Sequence, residues 1–224
     1  CRAYGLHSVH IFVLSNGIFL SCGDETEPLF AKVLQVPVNN TNLRRVAEVN
    51  QLSRRIEEEG LSPENVRREL TRIEEHPGFP AALQIAVAGL AGACFGVMFG
   101  GSPWDFLCSI VVGSLYQAYA VYLGNPHFGR IVRTILGSAW ITFLCILCYR
   151  FGPGENFDAM IIGGISLMVP GVAFTNAIRD MVDSDYISGS VRMLDAVISF
   201  FCIAIGVGVV LALYGNIAGA PLLP

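Results

Sequence analysis

The residues best suited to chemistry in this sequence lie between positions 168 and 195, where charged side chains follow an apolar run. Pro170 and Gly171 interrupt that run. Proline lacks a backbone donor and clashes with the preceding turn, so a helix passing through this pair is predicted to kink or divide. A divided helix within a membrane is tolerated only where protein or water meets its exposed backbone. The polar candidates nearby are Asn176, Arg179, Asp180, Arg192 and Asp195.

The spacing of these residues predicts two polar faces that meet. Asn176, Arg179 and Asp180 stand three and four apart and are expected to share one helix face. Arg192 and Asp195, also three apart, are expected to lie opposite them across a short acidic bend. Arg179 or Arg192 could bind a substrate carboxylate through two hydrogen bonds. The free N–H groups after the break lie at the positive end of a helix dipole, which also favours a carboxylate. Asp180 or Asp195 could bind an exchangeable proton, because burial favours a neutral carboxyl group.

Two simpler interpretations remain open for this stretch. One is a plain proline kink near a helix end, followed by a solvated loop. The other is an Arg–Asp pair that only locks two helix ends together. Neither needs a ligand.

Composition indicates that the polar stretch belongs to a membrane protein. Of the 224 residues, 53% are hydrophobic and 14% are charged, whereas ordinary soluble domains are about 45–50% apolar. A helix needs about 20 apolar residues to cross a bilayer. Five stretches come close: residues 80–99, 104–123, 131–149, 157–174 with a possible extension, and 193–214. We therefore predict an α-helical integral membrane protein with five transmembrane helices over residues 81–224.

Residues 1–75 are predicted to form a small cytoplasmic α+β domain, and residues 76–80 form a linker to the membrane part. Asn16-Gly17 is a strong hairpin signal between the first two predicted strands. Asparagine and serine caps predict two helices, the first ending at Gly60 and the second starting at Ser62-Pro63. The predicted strands are residues 8–14, 17–22 and 29–36.

Short loops predict the orientation of the chain in the membrane. The loops after the second and fourth segments carry two arginines each, and those on the other side carry none and one. Basic residues favour the cytoplasmic side. We expect the N-terminus and the polar stretch inside and the C-terminus outside.

A stripe of small residues on the first segment predicts close helix packing. Internal packing is favoured over a seam between copies in a homo-oligomer or with another subunit. The stripe comprises Ala88, Gly92, Gly96 and Gly100.

Several protein classes are disfavoured. The net charge of -4 and the lack of a basic stripe give no reason to expect nucleic acid. Cys145 and Cys148 form a C-x-x-C within an apolar helix, where cysteine usually behaves as a small hydrophobe. Neither hydrolase motifs nor a phosphate-binding loop are visible. We expect no enzyme activity, no cofactor and no metal site.

Three groups of residues resemble the threonine/serine exporter family, and the resemblance covers nearly the whole chain. The first is Pro170-Gly171 with the run from Asn176 to Asp180, Ser188-Gly189 and Arg192; the others are Asn16-Gly17-Ile18 with Asn42-Leu43-Arg44-Arg45, and Phe99-Gly100-Gly101 with Trp104-Asp105.

The resemblance implies a proton-coupled exporter of threonine and serine in the plasma membrane, the inner membrane of bacteria. Long family members carry two membrane halves, and this sequence covers one. It therefore resembles the larger component of the two-chain form, which needs a small membrane partner subunit. Some two-chain members are associated with succinate, so a succinate exporter component is the alternative. An accessory subunit without its own pathway is the third possibility.

Overall fold

The computed structural model describes residues 9–14, 17–22, 30–35, 42–75, 78–123 and 129–218. The chain divides into two compact units, residues 1–78 and 79–224. The predicted hairpin turn at residues 15–16 and residues 76–77 of the predicted linker lie outside the described residues.

The first unit contains a three-stranded antiparallel sheet, as the sequence predicts. Leu14 of the first strand lies opposite Gly17 of the second, and Gly17 lies opposite Gln35 of the third. The strand order follows the chain. The β-branched and aromatic content of all three suits a pleated surface. The strands are β1 (Val9–Leu14), β2 (Gly17–Cys22) and β3 (Phe30–Gln35).

Two helices follow the sheet, α1 (Leu43–Glu59) and α2 (Pro63–Glu75). The side chain of Asn42 caps α1 by accepting hydrogen bonds from two backbone N–H groups in its first turn. Gly60 ends α1 with a φ of 63°, a left-handed conformation that glycine adopts without steric cost. Both predicted helices are therefore confirmed, together with their capping residues.

The second unit consists of helices. In their described residues the helices are α3 (Ala81–Met98), α4 (Pro103–Ala118), α5 (Arg130–Phe151), α6 (Phe157–Ser166), α7 (Gly171–Val182) and α8 (Tyr186–Ala218). Four of these are long and apolar enough to cross a membrane: α3, α4 with its π-helical extension Tyr119–Leu123, α5 and α8. Helices α6 and α7 add a fifth crossing if the bent pair counts as one span.

The chain breaks between α6 and α7, at the predicted proline. The two helix axes differ by 61°. Pro170 precedes α7 and offers no side-chain cap. The N–H of Gly171 donates to the carbonyl of Val169 at 2.8 Å, which closes a tight turn instead of a helical one. The predicted division of the fourth segment is thus confirmed.

The helices pack in two groups that share a common core. Helix α3 packs on α4 and α6, and α8 packs on α5 and α7. Gly92 and Gly96 of α3 are buried, and a Cβ on Gly163 of α6 would come within 2.6 Å of the Gly92 carbonyl. Internal packing of this part of the stripe is therefore confirmed. The fully buried apolar side chains between the groups include Val112, Ile141 and Met160.

Candidate functional site

A tight turn joins α7 to α8 and brings their charged residues together. Ser184 in the turn has a φ of 68°, and the N–H of Asp185 returns to the carbonyl of Asp180 at 2.8 Å. Asp185 also accepts a hydrogen bond from the N–H of Ser188 at 3.2 Å. This cap starts α8 at Tyr186, seven residues before the predicted start of the fifth segment. Arg192 and Asp195 therefore lie within a helix.

Gly189 lets α8 approach α7 closely. A Cβ at this position would come within 3.1 Å of the carbonyl of Ala177, which is fully buried at the contact. One turn along α8, Arg192 Nη1 lies 2.8 Å from Asp180 Oδ2. Asp180 and Arg192 therefore meet, as the sequence predicts.

Burial of the Asp180–Arg192 pair is uneven. The Asp180 side chain is 23% exposed and that of Arg192 is 42% exposed. The Oδ2 atom of Asp180 is buried and accepts no hydrogen bond within the described part of the chain. The contact with Arg192 is thus an ion pair whose angles fall outside those of a hydrogen bond.

Asp195 does not join this pair. Its Oδ1 accepts a hydrogen bond from Arg130 Nη2 at 2.8 Å, and Arg130 is the first residue of α5. Residues three apart on a helix point about 60° from each other. Helix α8 therefore presents Arg192 to α7 and Asp195 to α5. The prediction that Asp195 faces the polar residues of α7 is wrong.

Asn176 and Arg179 lie on an open face of α7. The Arg179 side chain is 80% exposed and lies 3.7 Å from Asp183. Asn176 is also exposed, whereas Asp180 turns towards α8. The single polar face predicted for α7 is therefore divided in two, because Asp180 sits at the edge where α7 packs on α8.

Pro170 and Gly171 lie at the far end of α7 from the ion pair. Nine residues separate Gly171 from Asp180, which is about 14 Å along a helix. The start of α7 has no side-chain cap among the described residues, as expected for an open helix end. The predicted site residues therefore lie at two separate positions, the start of α7 and the Asp180–Arg192 pair. A single substrate carboxylate cannot contact both the start of α7 and Arg192.

A second polar region lies at the opposite end of α5. It is a pocket of about 450 Å³ between the start of α4 and the loop that precedes α6. From Arg130 to Tyr149, α5 spans 19 residues, about 29 Å, close to the hydrocarbon thickness of a bilayer, about 30 Å. The lining residues are Gly100, Ser102, Asp105, Tyr149, Glu155, Asn156, Phe157 and Asp158.

Asp105 is fully buried beside this pocket. One carboxylate oxygen accepts from the N–H of Ser102 at 2.8 Å, and the other accepts from the N–H groups of Glu155 at 2.7 Å and Asn156 at 3.0 Å. These bonds use both oxygens and fasten the start of α4 to the loop before α6. Asp105 is therefore a structural residue of the pocket wall.

Arg130 was not predicted to belong to the site. In the sequence it counts only as one of the loop arginines that predict the orientation of the chain in the membrane. A signal was present, because an arginine at the first position of a helix meets the positive end of the helix dipole. Within the described residues, no group of three or more His, Cys, Asp or Glu side chains could hold a metal ion.

Long apolar helices and a divided helix are the features of a multi-pass helical membrane protein. Comparison with known proteins then gives the family. The family model described as "Putative threonine/serine exporter" matches residues 1–214. This chain belongs to the threonine/serine exporter family, which is a family of transporters and not of enzymes.

The chain is also similar to three known proteins. It is 25% identical to the "Threonine/serine exporter" of Corynebacterium glutamicum over 92% of this chain and 44% of that protein. It is 25% identical to the "Probable succinate transporter subunit YjjP" of Klebsiella aerogenes, covering 95% of this chain and 81% of the relative. An uncharacterized protein of Schizosaccharomyces pombe, C16A10.01, is 29% identical over 79% of this chain and 22% of its own length.

The chain spans less than half the length of the Corynebacterium and Schizosaccharomyces proteins. No solved structure matches it.

Proposed function

We propose that this chain is the larger component of a proton-coupled secondary transporter that exports threonine and serine. The observation that carries the proposal is the pair of Asp180 on α7 and Arg192 on α8, held where the divided helix turns back. Family membership supplies the transporter class. Ionisable side chains in membrane segments are costly, and they often mark a substrate or proton pathway.

The charge balance around the pair favours an amino acid over a dicarboxylate. A zwitterionic substrate can place its carboxylate on Arg192 and its ammonium group on Asp180. A dicarboxylate would bring a second negative charge towards Asp180, with no surplus of cations to receive it. At this end of the helices four arginines balance four aspartates: Arg130, Arg133, Arg179 and Arg192 against Asp180, Asp183, Asp185 and Asp195.

Asp180 is the better of the two predicted proton carriers. The Asp180 side chain is the less exposed of the two, 23% against 43%, and it pairs with Arg192, the arginine that would receive the substrate carboxylate. A proton on Asp180 removes the charge that the substrate ammonium group needs. Proton and substrate then compete for one carboxylate, which is the requirement for antiport.

The membrane arrangement that we propose has five crossings. In it the first unit and the ion pairs are cytoplasmic. Helix α6 starts beside the end of α5, because the N–H groups of Glu155 and Asn156 bind Asp105 in the pocket wall. Helix α7 ends level with the start of α5, since α8 contacts both Asp180 and Arg130. The bent pair thus runs from one end of α5 to the other, which supports counting it as one crossing.

A small membrane subunit is the partner we propose. The Klebsiella relative of matching length is named as a subunit, and relatives named as whole exporters are more than twice as long as the matched part. The same subunit name makes succinate the second candidate substrate. A transporter without its second half has an incomplete pathway, so co-expression is part of the test.

Counterflow in proteoliposomes tests the proposed function. The protein is reconstituted with and without the partner subunit, and labelled threonine, serine and succinate are compared. We expect exchange of threonine and serine, lost in Asp180→Asn and in Arg192→Ala. Asp183→Asn is the matched control, because the Asp183 side chain is 68% exposed and pairs only at 3.7 Å.

Each outcome of the counterflow experiment has a separate meaning. Exchange of succinate alone would replace the amino-acid substrate by the dicarboxylate. Exchange that persists in both site variants would remove the site from the Asp180–Arg192 pair. No exchange by folded protein with its partner present would leave the accessory role.

A further inference from the structure

We propose that Arg130 is a positioning residue for the Asp180–Arg192 pair and acts through Asp195. The transport test of this inference rests on the proposed function. Arg130 Nη2 donates a hydrogen bond to Asp195 Oδ1 at 2.8 Å, across 65 residues of sequence. Asp195 lies three residues after Arg192 on α8. The turn of α8 that presents Arg192 to α7 is therefore held from its other side by α5.

The position of Arg130 is unfavourable for its own helix. The first turn of α5 contains no acidic residue, and no side chain caps it. A cation at a helix start opposes the dipole, so α5 gains no stability from this charge. The geometry instead directs the charge to α8, where Asp195 neutralises it.

The contact lies about three turns of α8 away from a close crossing of α5 and α8 at Gly206. At that point a Cβ on Gly206 would meet the carbonyl of Ile135 and come within 3.1 Å of the Ala139 nitrogen. Eleven residues of α8 separate Asp195 from Gly206, about 16 Å. A small rotation of α8 about this crossing therefore displaces the turn that carries Arg192 and Asp195.

The Arg130–Asp195 contact is also easily released. The two side chains are 50% and 43% exposed, and exposed ion pairs are screened by water and salt. A weak contact between α5 and α8 at this end can orient Arg192 and still open during a transport cycle.

Exchange kinetics with threonine test the positioning role. We expect Arg130→Ala to raise KM about fivefold with Vmax close to wild type, the scale set by one exposed ion pair. Arg130→Asp combined with Asp195→Arg should return KM to near the wild-type value. Arg133→Ala is the matched control, because it removes the same charge from α5 at an exposed arginine that forms no ion pair with a described residue.

A distance measurement separates this inference from the proposed function. Spin labels at Val132 and Val191, both exposed, are placed in a variant without native cysteines. Arg130→Ala should lengthen and broaden the distance distribution between α5 and α8, and Arg133→Ala should leave it unchanged. If the wild type shows no exchange but the distances respond, the transport function fails and the positioning role stands. Identical distance distributions in the two variants would overturn the positioning role, whatever the transport result.

Discussion

Asp105 is a fully buried carboxylate in an apolar helix bundle, and its hydrogen bonds explain how it is accommodated. The N–H groups of Ser102, Glu155 and Asn156 all donate to it. A buried charge is costly unless hydrogen bonds satisfy it. The Ser102 side chain accepts a hydrogen bond in return from the Asp105 N–H at 3.2 Å, which completes a capping box. One residue thus closes the start of α4 and anchors a loop 50 residues away.

Asp105→Asn should destabilise the protein by about 2 kcal/mol, because the amide NH₂ replaces one acceptor and leaves buried N–H groups unpaired. Thermal unfolding in detergent measures the change. The control is Asp158→Asn, an exposed carboxylate in the first turn of α6, which should cost at most about 1 kcal/mol. Equal losses in both variants would contradict the role of the three hydrogen bonds.

Glycines decide how closely the helices of the second unit approach. Gly206 and Gly208 lie two residues apart on α8 but face different surroundings. A Cβ at Gly206 would meet Ser138 and the backbone of α5, whereas a Cβ at Gly208 would meet nothing within 4 Å. Small residues at helix crossings allow backbones to pack directly in a membrane protein. Gly206 therefore sets the α5–α8 separation.

Gly206→Ala should destabilise the bundle by about 1–3 kcal/mol, the usual cost of overpacking. Gly208→Ala should be neutral or slightly stabilising, since alanine favours helix by up to about 1 kcal/mol. The comparison uses the fraction of monodisperse protein that survives heating, measured by size-exclusion chromatography. A similar loss in both variants would show that α5 and α8 separate at little cost.

The path of the whole chain depends on whether α6 and α7 count as one crossing. With five crossings, the ends of the membrane unit lie on opposite sides of the bilayer. With four, they lie on the same side. The ion pairs at one end of α5 and the pocket at the other favour five.

Labelling of single cysteines by an impermeant maleimide on intact cells decides the number of crossings. We expect a cysteine at Asn216, near the end of α8, to be labelled and one at Ser53 in α1 to be protected. A cysteine at Glu155 is the control, because a cytoplasmic N-terminus places the loop before α6 outside in both arrangements. Protection of Asn216 together with labelling of Glu155 would contradict five crossings.

The sequence by itself determined the features that depend on neighbours along the chain. Asn42 and Gly60 mark the ends of α1 because capping acts within one helical turn. Pro170 divides the fourth segment because its ring removes a local hydrogen bond. Hydropathy over about 20 residues identified the membrane helices, and the signature residues identified the family.

Only the tertiary structure decided which charges meet. Asp180 pairs with Arg192 as predicted, but Asp195 turns to Arg130, 65 residues away. Helical spacing fixes the direction of each side chain relative to its own axis, whereas the neighbour in that direction depends on how the helices pack. For the same reason Arg179 stays exposed, although its spacing alone placed it beside Asp180. Partners across helices follow from packing, and packing depends on the whole chain at once.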